Sequence, residues 1–307
     1  MTSPLAQPDG RVAVITGAAS GFGRELATQC AALGIWLVLA DLDLAGLNAT
    51  RALTGLDDNR ALTCRCDVAD AASVDALATA ARLHFGAVHL LFNNAGVIVA
   101  DPLWKATPQD WAWVFGVNVM GVAHGIRAFV PDMIARGEPA WVVNTASLAG
   151  LVCPPELGVY AASKHAVVAA VSECLFHELR AAGHLVGVSV LCLAYVDTGI
   201  ADSQRHRPAD LAEANPDNDD FMARTRTAMQ SGRLIRQPPC FALRCMSLSG
   251  GRAGSRRPMS RASRSRQCGK SASTSSHIRV RSAAWSSACA TSCRVMFRPI
   301  RWVPRHE

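Results

Sequence analysis

Two residues one helical turn apart, Tyr160 and Lys164, are the pair in this sequence best suited to acid–base chemistry. Residues at i and i+4 share one face of a helix, so a helix here would place the phenol beside the ammonium. A phenol has a pKa of ~10 and is a poor base at neutral pH, but a neighbouring ammonium favours the phenolate. A Tyr-x-x-x-Lys pair alone is usually surface decoration. Ser147, thirteen residues before the tyrosine, and a glycine-rich turn upstream make chance a poor explanation.

The segment Thr16–Gly23 has the position and composition of a phosphate-binding turn. It follows a short apolar run and opens an amphipathic one, where backbone N–H groups and the positive end of a helix can meet a dinucleotide pyrophosphate. Its glycines are spaced G-x-x-x-G-x-G rather than G-x-G-x-x-G. The alternative is a tight strand-to-helix turn that binds nothing. The residues predicted to bind the pyrophosphate are Thr16, Gly17, Ser20, Gly21, Phe22 and Gly23.

Acidic residues after the second and third apolar runs predict contacts with the adenosine half of the cofactor. Asp41 stands 24 positions after the first glycine of the turn, where a carboxylate accepts hydrogen bonds from the ribose hydroxyls. It would repel a 2′-phosphate, and no basic residue stands at Leu42 or Ser20 to neutralise one, which predicts NAD rather than NADP. Asp67, followed by Val68, could meet the adenine edge. The alternative for both acids is a solvated carboxylate at a strand end or in a loop.

Asn93–Gly96 ends the fourth apolar run, and in a doubly wound sheet the ligand crevice lies at the carboxyl ends of the strands. By itself this segment predicts only a turn. Asn118 lies within the long helical pattern that follows it. The eleven cysteines include no C-x-x-C pair and the histidines lack partners at metal-ligand spacing, so no metal site is predicted.

The elements that must position these residues alternate between apolar runs and amphipathic stretches from Arg11 to about Leu193. This alternation is typical of βαβ units in a parallel sheet, because strands buried on both faces are continuously apolar. The predicted strands are Val12–Thr16, Ile35–Ala40, Leu62–Cys66, Val88–Asn93, Trp141–Ala146 and Val186–Cys192. The predicted helices cover residues 21–33, 44–54, 71–84, 107–136 and 157–182, and the fourth opens with a Thr107-Pro108 cap.

Charge divides the chain into two unlike parts. Residues 1–220 hold 13 Lys and Arg against 23 Asp and Glu, a net −10, whereas residues 221–307 hold 18 basic residues and one acidic residue, a net +17. Residues 236–307 contain 14 Ser and 14 Arg and keep no lasting helix or strand period. Such a composition buries too little apolar surface to order itself, so this tail is predicted to be disordered.

Two alternatives remain open for the tail. Its mildly apolar patches, Cys240–Leu248 and Val295–Val303, could form a sheet edge, although Pro238-Pro239 and Pro299 interrupt the approach to each. Its arginines could instead bind nucleic acid through phosphate contacts. The tail lacks the regular aromatic residues of a base-stacking surface, which argues against a nucleic-acid partner.

Residues 11–200 resemble the short-chain dehydrogenase/reductase family. The family's motifs occur in order here: Thr16–Gly23, Asp67, Asn93–Gly96, Asn118, Ser147, Tyr160 and Lys164. The resemblance implies an α/β fold of the Rossmann type, with a doubly wound parallel sheet in a single domain. It also implies a nicotinamide cofactor and hydride exchange between an alcohol and a carbonyl of a small molecule.

The same resemblance implies a role for each motif residue. Tyr160 would be the acid/base, and Lys164 would lower its pKa and bind the nicotinamide ribose. Ser147 would donate to the substrate oxygen, and Asn118 would hold a water in a proton relay. The two long helices would pair across a twofold axis, which predicts a homodimer. Further cofactor contacts are expected at Asn94, Ala95, Gly96, Tyr160, Val196 and Thr198.

Two departures from the family pattern follow the sixth strand. Leu193-Ala194 replaces the family's Pro-Gly, with Asp197 near the cofactor loop, and no closing helix and strand can be found after Arg236. The rival prediction is therefore a nucleotide-binding protein with little or no turnover, because the C-terminal part of the fold is missing or altered. No signal-peptide pattern and no run of eighteen apolar residues occurs, which predicts a cytoplasmic protein without a membrane span.

We therefore predict an NAD(P)-dependent oxidoreductase that prefers NAD and has four regions. They are an N-terminal arm (1–10), a catalytic domain (11–197), a substrate flap (198–235) and the basic tail (236–307).

Overall fold

Six strands in the computed structural model follow the predicted alternation, each within two residues of its predicted bounds. The structure describes residues 7–194, 196 and 198–212, and two strands farther along the chain, Arg244–Ser247 and Phe297–Pro299. The six strands are β1 (Val12–Thr16), β2 (Trp36–Asp41), β3 (Ala61–Arg65), β4 (Leu90–Asn93), β5 (Ala140–Thr145) and β6 (Val186–Cys192).

The helices begin and end where the sequence supplies caps. Asp43 accepts a hydrogen bond from Gly46 N–H at the start of α2, and Thr107 and Asp110 form a capping box around Pro108 at the start of α4. The first three helices are α1 (Gly21–Ala32), α2 (Leu44–Thr54) and α3 (Ala71–Phe85). The two long predicted helices each contain a π-helical turn: α4 (Pro108–Phe115), Gly116–Met120, α5 (Gly121–Arg136); and α6 (Gly158–His165), Ala166–Ser172, α7 (Glu173–Ala181).

The sheet confirms the predicted doubly wound, Rossmann-type α/β fold. Its first six strands lie in the order β3-β2-β1-β4-β5-β6, and every neighbouring pair among them is parallel. β1 pairs with β2 on one side and β4 on the other, so the chain reverses direction across the sheet between these two neighbours. At such a point the loops after the strands separate and leave a crevice at the carboxyl edge. β3 is only partly buried because it lies at the edge, so the expectation of full burial fails for this strand.

Two strands lie within the tail that was predicted to be disordered. β7 (Arg244–Ser247) pairs antiparallel with β6, and β8 (Phe297–Pro299) pairs parallel with β7. These seven residues match the sheet-edge alternative and correct the prediction that the fold holds no strand after Arg236. The physical reason is that β6 would otherwise expose a row of unpaired backbone groups, which even a short segment can satisfy. The rest of residues 236–307 lies outside the described residues.

A chain of buried polar side chains ties the middle of the sheet to the helix that covers it. Asn93 donates to Asn144 Oδ1 at 2.9 Å, and Asn144 donates to Ser172 Oγ at 3.0 Å. Ser172 in turn donates to the Val167 carbonyl within its own π-helical turn at 2.6 Å. All of these side chains are buried and hydrogen-bonded, as buried polar groups must be. The network fixes the height of the helix over the carboxyl ends of β4 and β5.

The continuous helix Pro108–Arg136 is long and apolar enough, by length and composition, to cross a membrane, with a mean hydropathy of 1.3 over its most apolar window. The core helix of a globular domain passes the same test. Phe129, Val130 and Met133 pack in the core with side chains of the strands. The helix meets this criterion although it contains no run of eighteen apolar residues, and its apolar face is used inside the fold.

Candidate functional site

The glycine turn after β1 closes tightly on itself and on the loop after β4. Gly17 has φ +69°, and a Cβ added there would lie 2.8 Å from the Cα of Ala95. A Cβ on Gly23 would lie 2.0 Å from the carbonyl oxygen of Gly17. Only glycine fits either position, because the obstructing atoms belong to the backbone. The turn therefore brings bare backbone to the entrance of the crevice.

Side chains from α1 and α2 hold the carbonyl groups of this turn. Thr50 donates to the Ala18 carbonyl at 2.8 Å, and Arg24 donates to the Ala19 carbonyl and, through Nε, to Thr50 Oγ1 at 3.0 Å. Ser20, the N-cap of α1, makes no side-chain cap, so it leaves the N–H groups of the first helical turn for a ligand. A helix N-terminus with open N–H groups favours an anion. Arg24 and Thr50 were not predicted from the sequence, because no motif marks them.

Asp41 lies at the end of β2 beside the glycine turn. One carboxylate oxygen accepts from Ala19 N–H at 3.0 Å and the other from Asp43 N–H at 3.2 Å. The negative charge is therefore held in place next to the turn. Asp67 accepts from Ala69 N–H at 2.9 Å, while Val68 is buried and faces α5, where a Cβ on Gly121 would lie 2.8 Å from it.

The polar segment after β4 meets the end of β1 through Thr16. Thr16 Oγ1 accepts from Asn94 N–H at 2.9 Å and from Ala95 N–H at 3.1 Å, and the Asn94 amide donates back to the Thr16 carbonyl at 3.0 Å. A Cβ on Gly96 would lie 3.3 Å from Lys164 Nζ and 3.4 Å from Asn118 Oδ1. The segment thus joins the glycine turn to the Tyr160 helix.

Tyr160 and Lys164 share one face of α6, as predicted. The tyrosine is 7% exposed, and its ring packs in an apolar cluster with Ile98, Ala149 and Leu157. Lys164 Nζ lies 5.7 Å from the centre of that ring and donates to the Thr145 carbonyl at 2.9 Å.

Burial is the main influence on the charge of Lys164, whose side chain is 2% exposed. Loss of solvent lowers the pKa of its ammonium from 10.5 to about 8, and nearby Cys192 acts weakly in the opposite direction. At neutral pH most of these ammonium groups are still protonated, because neutral pH lies only slightly below this pKa. A buried cation thus lies beside the phenol, in a site where water screens it little.

Ser147 and Asn118 flank this pair. Ser147 Oγ accepts from Ala149 N–H at 3.1 Å and lies 3.4 Å from the Leu193 carbonyl. Asn118 lies in the first π-helical turn and is fully buried. Its amide exchanges two 2.9 Å hydrogen bonds with the backbone of Val97 and donates to Ser163 Oγ at 3.0 Å. Ser163 was not foreseen, and it links the two long helices through Asn118.

The segment after β6 reaches back to the glycine turn. A Cβ on Gly21 would lie 3.1 Å from the Cβ of Thr198, and Val196, two residues earlier in the chain, is half-buried. Leu193, which replaces the expected proline, is buried, and its carbonyl accepts from Leu148 N–H at 2.8 Å. Asp197 lies outside the described residues. Within the described part of the chain, no group of three His, Cys, Asp or Glu residues could hold a metal ion.

Comparison with protein families matches residues 11–209 to the family model described as short chain dehydrogenase. The chain belongs to the short-chain dehydrogenase family. Among curated members, it is 34% identical to a CLA biosynthesis dehydrogenase/reductase of Lactiplantibacillus plantarum, over 66% of this chain and 71% of that one. It is 39% identical to a 1-deoxy-11-beta-hydroxypentalenate dehydrogenase of Streptomyces exfoliatus, over 61% and 68% of the two chains.

Solved structures of the short-chain dehydrogenase family share the fold. A member from Burkholderia phymatum, solved in complex with NAD, is 51% identical, with a TM-score of 0.70 over 74% of this chain and 82% of that one. A putative member from Novosphingobium aromaticivorans is 31% identical, with a TM-score of 0.58 over 73% and 79%. The family and its oxidoreductase chemistry are thus established for this chain.

Proposed function

We propose that the protein is an NAD(H)-dependent oxidoreductase that interconverts an alcohol and a carbonyl at a Ser147-Tyr160-Lys164 centre. The observation that carries the proposal is the buried Lys164 ammonium beside Tyr160, at the edge of the sheet where the glycine turn also lies. Burying a cation is costly and is rarely kept without a use. The names of the curated relatives, both dehydrogenases, agree with this class of reaction.

Each residue of the centre has a chemical task. Tyr160 gives its hydroxyl proton to a substrate carbonyl or takes one from an alcohol, and the charge on Lys164 favours the phenolate. Ser147 donates to the same substrate oxygen as negative charge develops there. Asn118 holds a water near Lys164 that returns the proton to solvent. When bound, the nicotinamide supplies or accepts the hydride.

The residues present fit a dinucleotide. The close approach at Gly17 and Gly23 leaves no side chain between the backbone and a pyrophosphate, and the open end of α1 faces it. Asp41 would accept hydrogen bonds from the adenosine ribose hydroxyls, and Asp67 and Val68 would contact the adenine. The contacts nearer the nicotinamide are Asn94, Ala95, Gly96, Val196 and Thr198, together with Lys164 at the ribose.

We propose that NAD(H) is preferred over NADP(H). The charge of Asp41 is fixed by two backbone hydrogen bonds and would repel a 2′-phosphate, and the nearby Arg24 already binds the Ala19 carbonyl. The Burkholderia phymatum relative was solved with NAD. Fluorescence titration with both reduced cofactors tests this preference, and Asp41→Ala combined with Leu42→Arg should reverse it. Equal affinity of the unmodified protein for NADPH would contradict the assignment.

The catalytic centre is tested by Tyr160→Phe, which removes only the titrating hydroxyl. Turnover of a ketone panel with NADH should disappear, while NADH binding stays within about twofold, because the aromatic ring of residue 160 and the Lys164 ammonium both remain in place. Ser147→Ala should lower the rate by about a hundredfold. NADH binding without turnover of any substrate by the unmodified protein would favour the rival, a nucleotide-binding protein without catalysis.

We further propose a cytoplasmic homodimer that acts on a small-molecule substrate. Trp111, Phe115 and Met120 form an apolar stripe on the outer face of the helix Pro108–Arg136, and the first two rings lie 5.5 Å apart. Residues this large are seldom left in water as a continuous stripe. A second copy, paired through this helix and residues 158–181, would cover it.

A further inference from the structure

The segment 198–212, named here the arm, contacts both halves of the proposed site. At its start, Thr198 lies against Gly21 of the glycine turn. One turn later, Ile200 and Ala201 pack against the apolar cluster that contains Tyr160. Any shift of the arm would therefore change the surroundings of the cofactor and of the phenol together.

Ser203 and Arg207 each make a polar contact that joins the arm to the rest of the fold. Ser203 is buried, and its hydroxyl lies 3.2 Å from the N–H and 3.3 Å from the carbonyl of Ile98. Farther along, Arg207 Nη1 donates to Asp110 Oδ1 at 2.7 Å, across 97 positions of sequence. The exposed fractions of these two side chains are only 6% and 2%.

The Arg207–Asp110 pair is built into its surroundings on both sides. Arg207 Nε donates to the Leu211 carbonyl at 2.6 Å, and its guanidinium lies 5.1 Å from the centre of the Trp113 ring. The other oxygen of Asp110 accepts from the N–H and the hydroxyl of Thr107, which begins α4. One carboxylate therefore caps the helix that continues to Asn118 and also binds the arm.

The Asp110 carboxylate is also the main group that compensates the buried charge of the Arg207 guanidinium. Arg207 Nη2 is buried and has no hydrogen-bond partner among the described residues, so the cation depends on Asp110. Removing one member of a buried pair leaves the other uncompensated, which is far costlier than losing a surface ion pair. The arm is therefore held strongly at this pair.

We propose that Arg207 is a positioning residue that latches the arm over the bound dinucleotide through Asp110. This proposal rests on the proposed function for the identity of the bound cofactor, whereas the latch between Arg207 and Asp110 does not depend on it. Breaking the pair should free the arm, so that NADH leaves faster and the KM for NADH rises more than kcat falls. Arg207 itself touches no reacting atom.

The test compares Arg207→Gln with Arg205→Gln in the full chain. Arg205 is a matched control because, among the residues that the structure describes, its guanidinium bonds only to the Gly199 and Asp202 carbonyls within the arm itself. In stopped-flow fluorescence, Arg207→Gln should release NADH at least tenfold faster than the unmodified protein, and Arg205→Gln should stay within twofold. Arg207→Lys keeps the positive charge, so its NADH release should be slower than that of Arg207→Gln but faster than that of the unmodified protein.

Hydrogen exchange of the unliganded protein separates the latch from the cofactor assignment. Backbone amides of residues 199–206 should exchange faster in Arg207→Gln than in Arg205→Gln, whether or not NADH binds. If the unmodified protein bound no NADH, the proposed function would fail while this measurement still decided the latch. Unchanged exchange and unchanged NADH release in a folded Arg207→Gln variant would overturn the latch. If that variant failed to fold, the same two readouts on Arg207→Lys would decide.

Discussion

Replacing Lys164 by methionine isolates the free-energy cost of burying its ammonium group. Burial lowers the pKa of this group from 10.5 to about 8, so the folded state binds its proton less tightly than the unfolded state does. A base with a lowered pKa in the folded state destabilises the fold at neutral pH. The cost is relieved as pH rises from about 8 towards 10.5, and it amounts to ~3 kcal/mol when fully expressed.

Lys164→Met removes this titration while keeping a side chain of similar length. The difference in unfolding free energy between the variant and the unmodified protein should therefore depend on pH. Relative to the unmodified protein, the variant should be more stable at pH 7 than at pH 10 by ~2–3 kcal/mol. The substitution also removes other contacts, such as the hydrogen bond to the Thr145 carbonyl. To first order, their loss changes the unfolding free energy by an amount that does not depend on pH.

Urea unfolding at half-unit steps between pH 7 and pH 10.5 measures this difference. All other titrating groups are common to the two proteins and cancel. Met133→Leu is the matched control, because it changes a buried core side chain without a titrating group and its offset should stay constant. A flat difference for Lys164→Met would mean that its ammonium is not desolvated, and the account of a buried catalytic cation would be wrong.

Three further perturbations have outcomes that the structure specifies. Gly23→Ala puts a methyl 2.0 Å from the Gly17 carbonyl oxygen and should weaken NADH binding tenfold or more in a fluorescence titration, whereas Gly116→Ala, with only a 3.7 Å contact, should not. His89 accepts a hydrogen bond from Val12 N–H at 3.1 Å, and burial lowers the pKa of its imidazole. The stability that neutral His89 contributes should therefore be lost as pH falls below 6.5. Urea midpoints of His89→Asn should not show this loss. Met120→Arg should convert the expected dimer to a monomer in sedimentation, and a stable tetramer of the unmodified protein would contradict the proposed assembly.

The sheet and its motifs were predictable because both have local signatures. A strand buried on both faces must be apolar along its whole length, as β1 and β6 are, so its sequence is nearly sufficient to locate it. The i, i+4 spacing of Tyr160 and Lys164 fixes their common face as soon as the helix is recognised. The edge strands β7 and β8 were less predictable, since their main requirement is backbone pairing with a neighbour.

The supports of the site were not predictable, because they join residues far apart in sequence. Arg24 meets Thr50 across 26 positions, and Asn118 meets Ser163 across 45. Arginine, threonine, serine and asparagine are common surface residues, and no period or motif separates a buried partner from a solvated one. Only the packed fold shows which of them hold the glycine turn and the helix that carries Tyr160 and Lys164.

The π-helical turns in the two long helices have a consequence for how the helices tolerate change. A π-helical turn accommodates about one residue more than a regular α-helical turn, and each residue of an α-helix advances the direction of its side chain by about 100°. A single deletion within Gly116–Met120 would therefore convert this turn to a regular α-helical turn and leave α5 in nearly the same orientation relative to α4. A single deletion in the regular α-helix between Gly121 and Ala128 would instead rotate all later residues by about 100° and turn Phe129 and Met133 out of the core. The two π-helical turns are thus the places where the long helices can lose a residue without changing which face packs on the sheet.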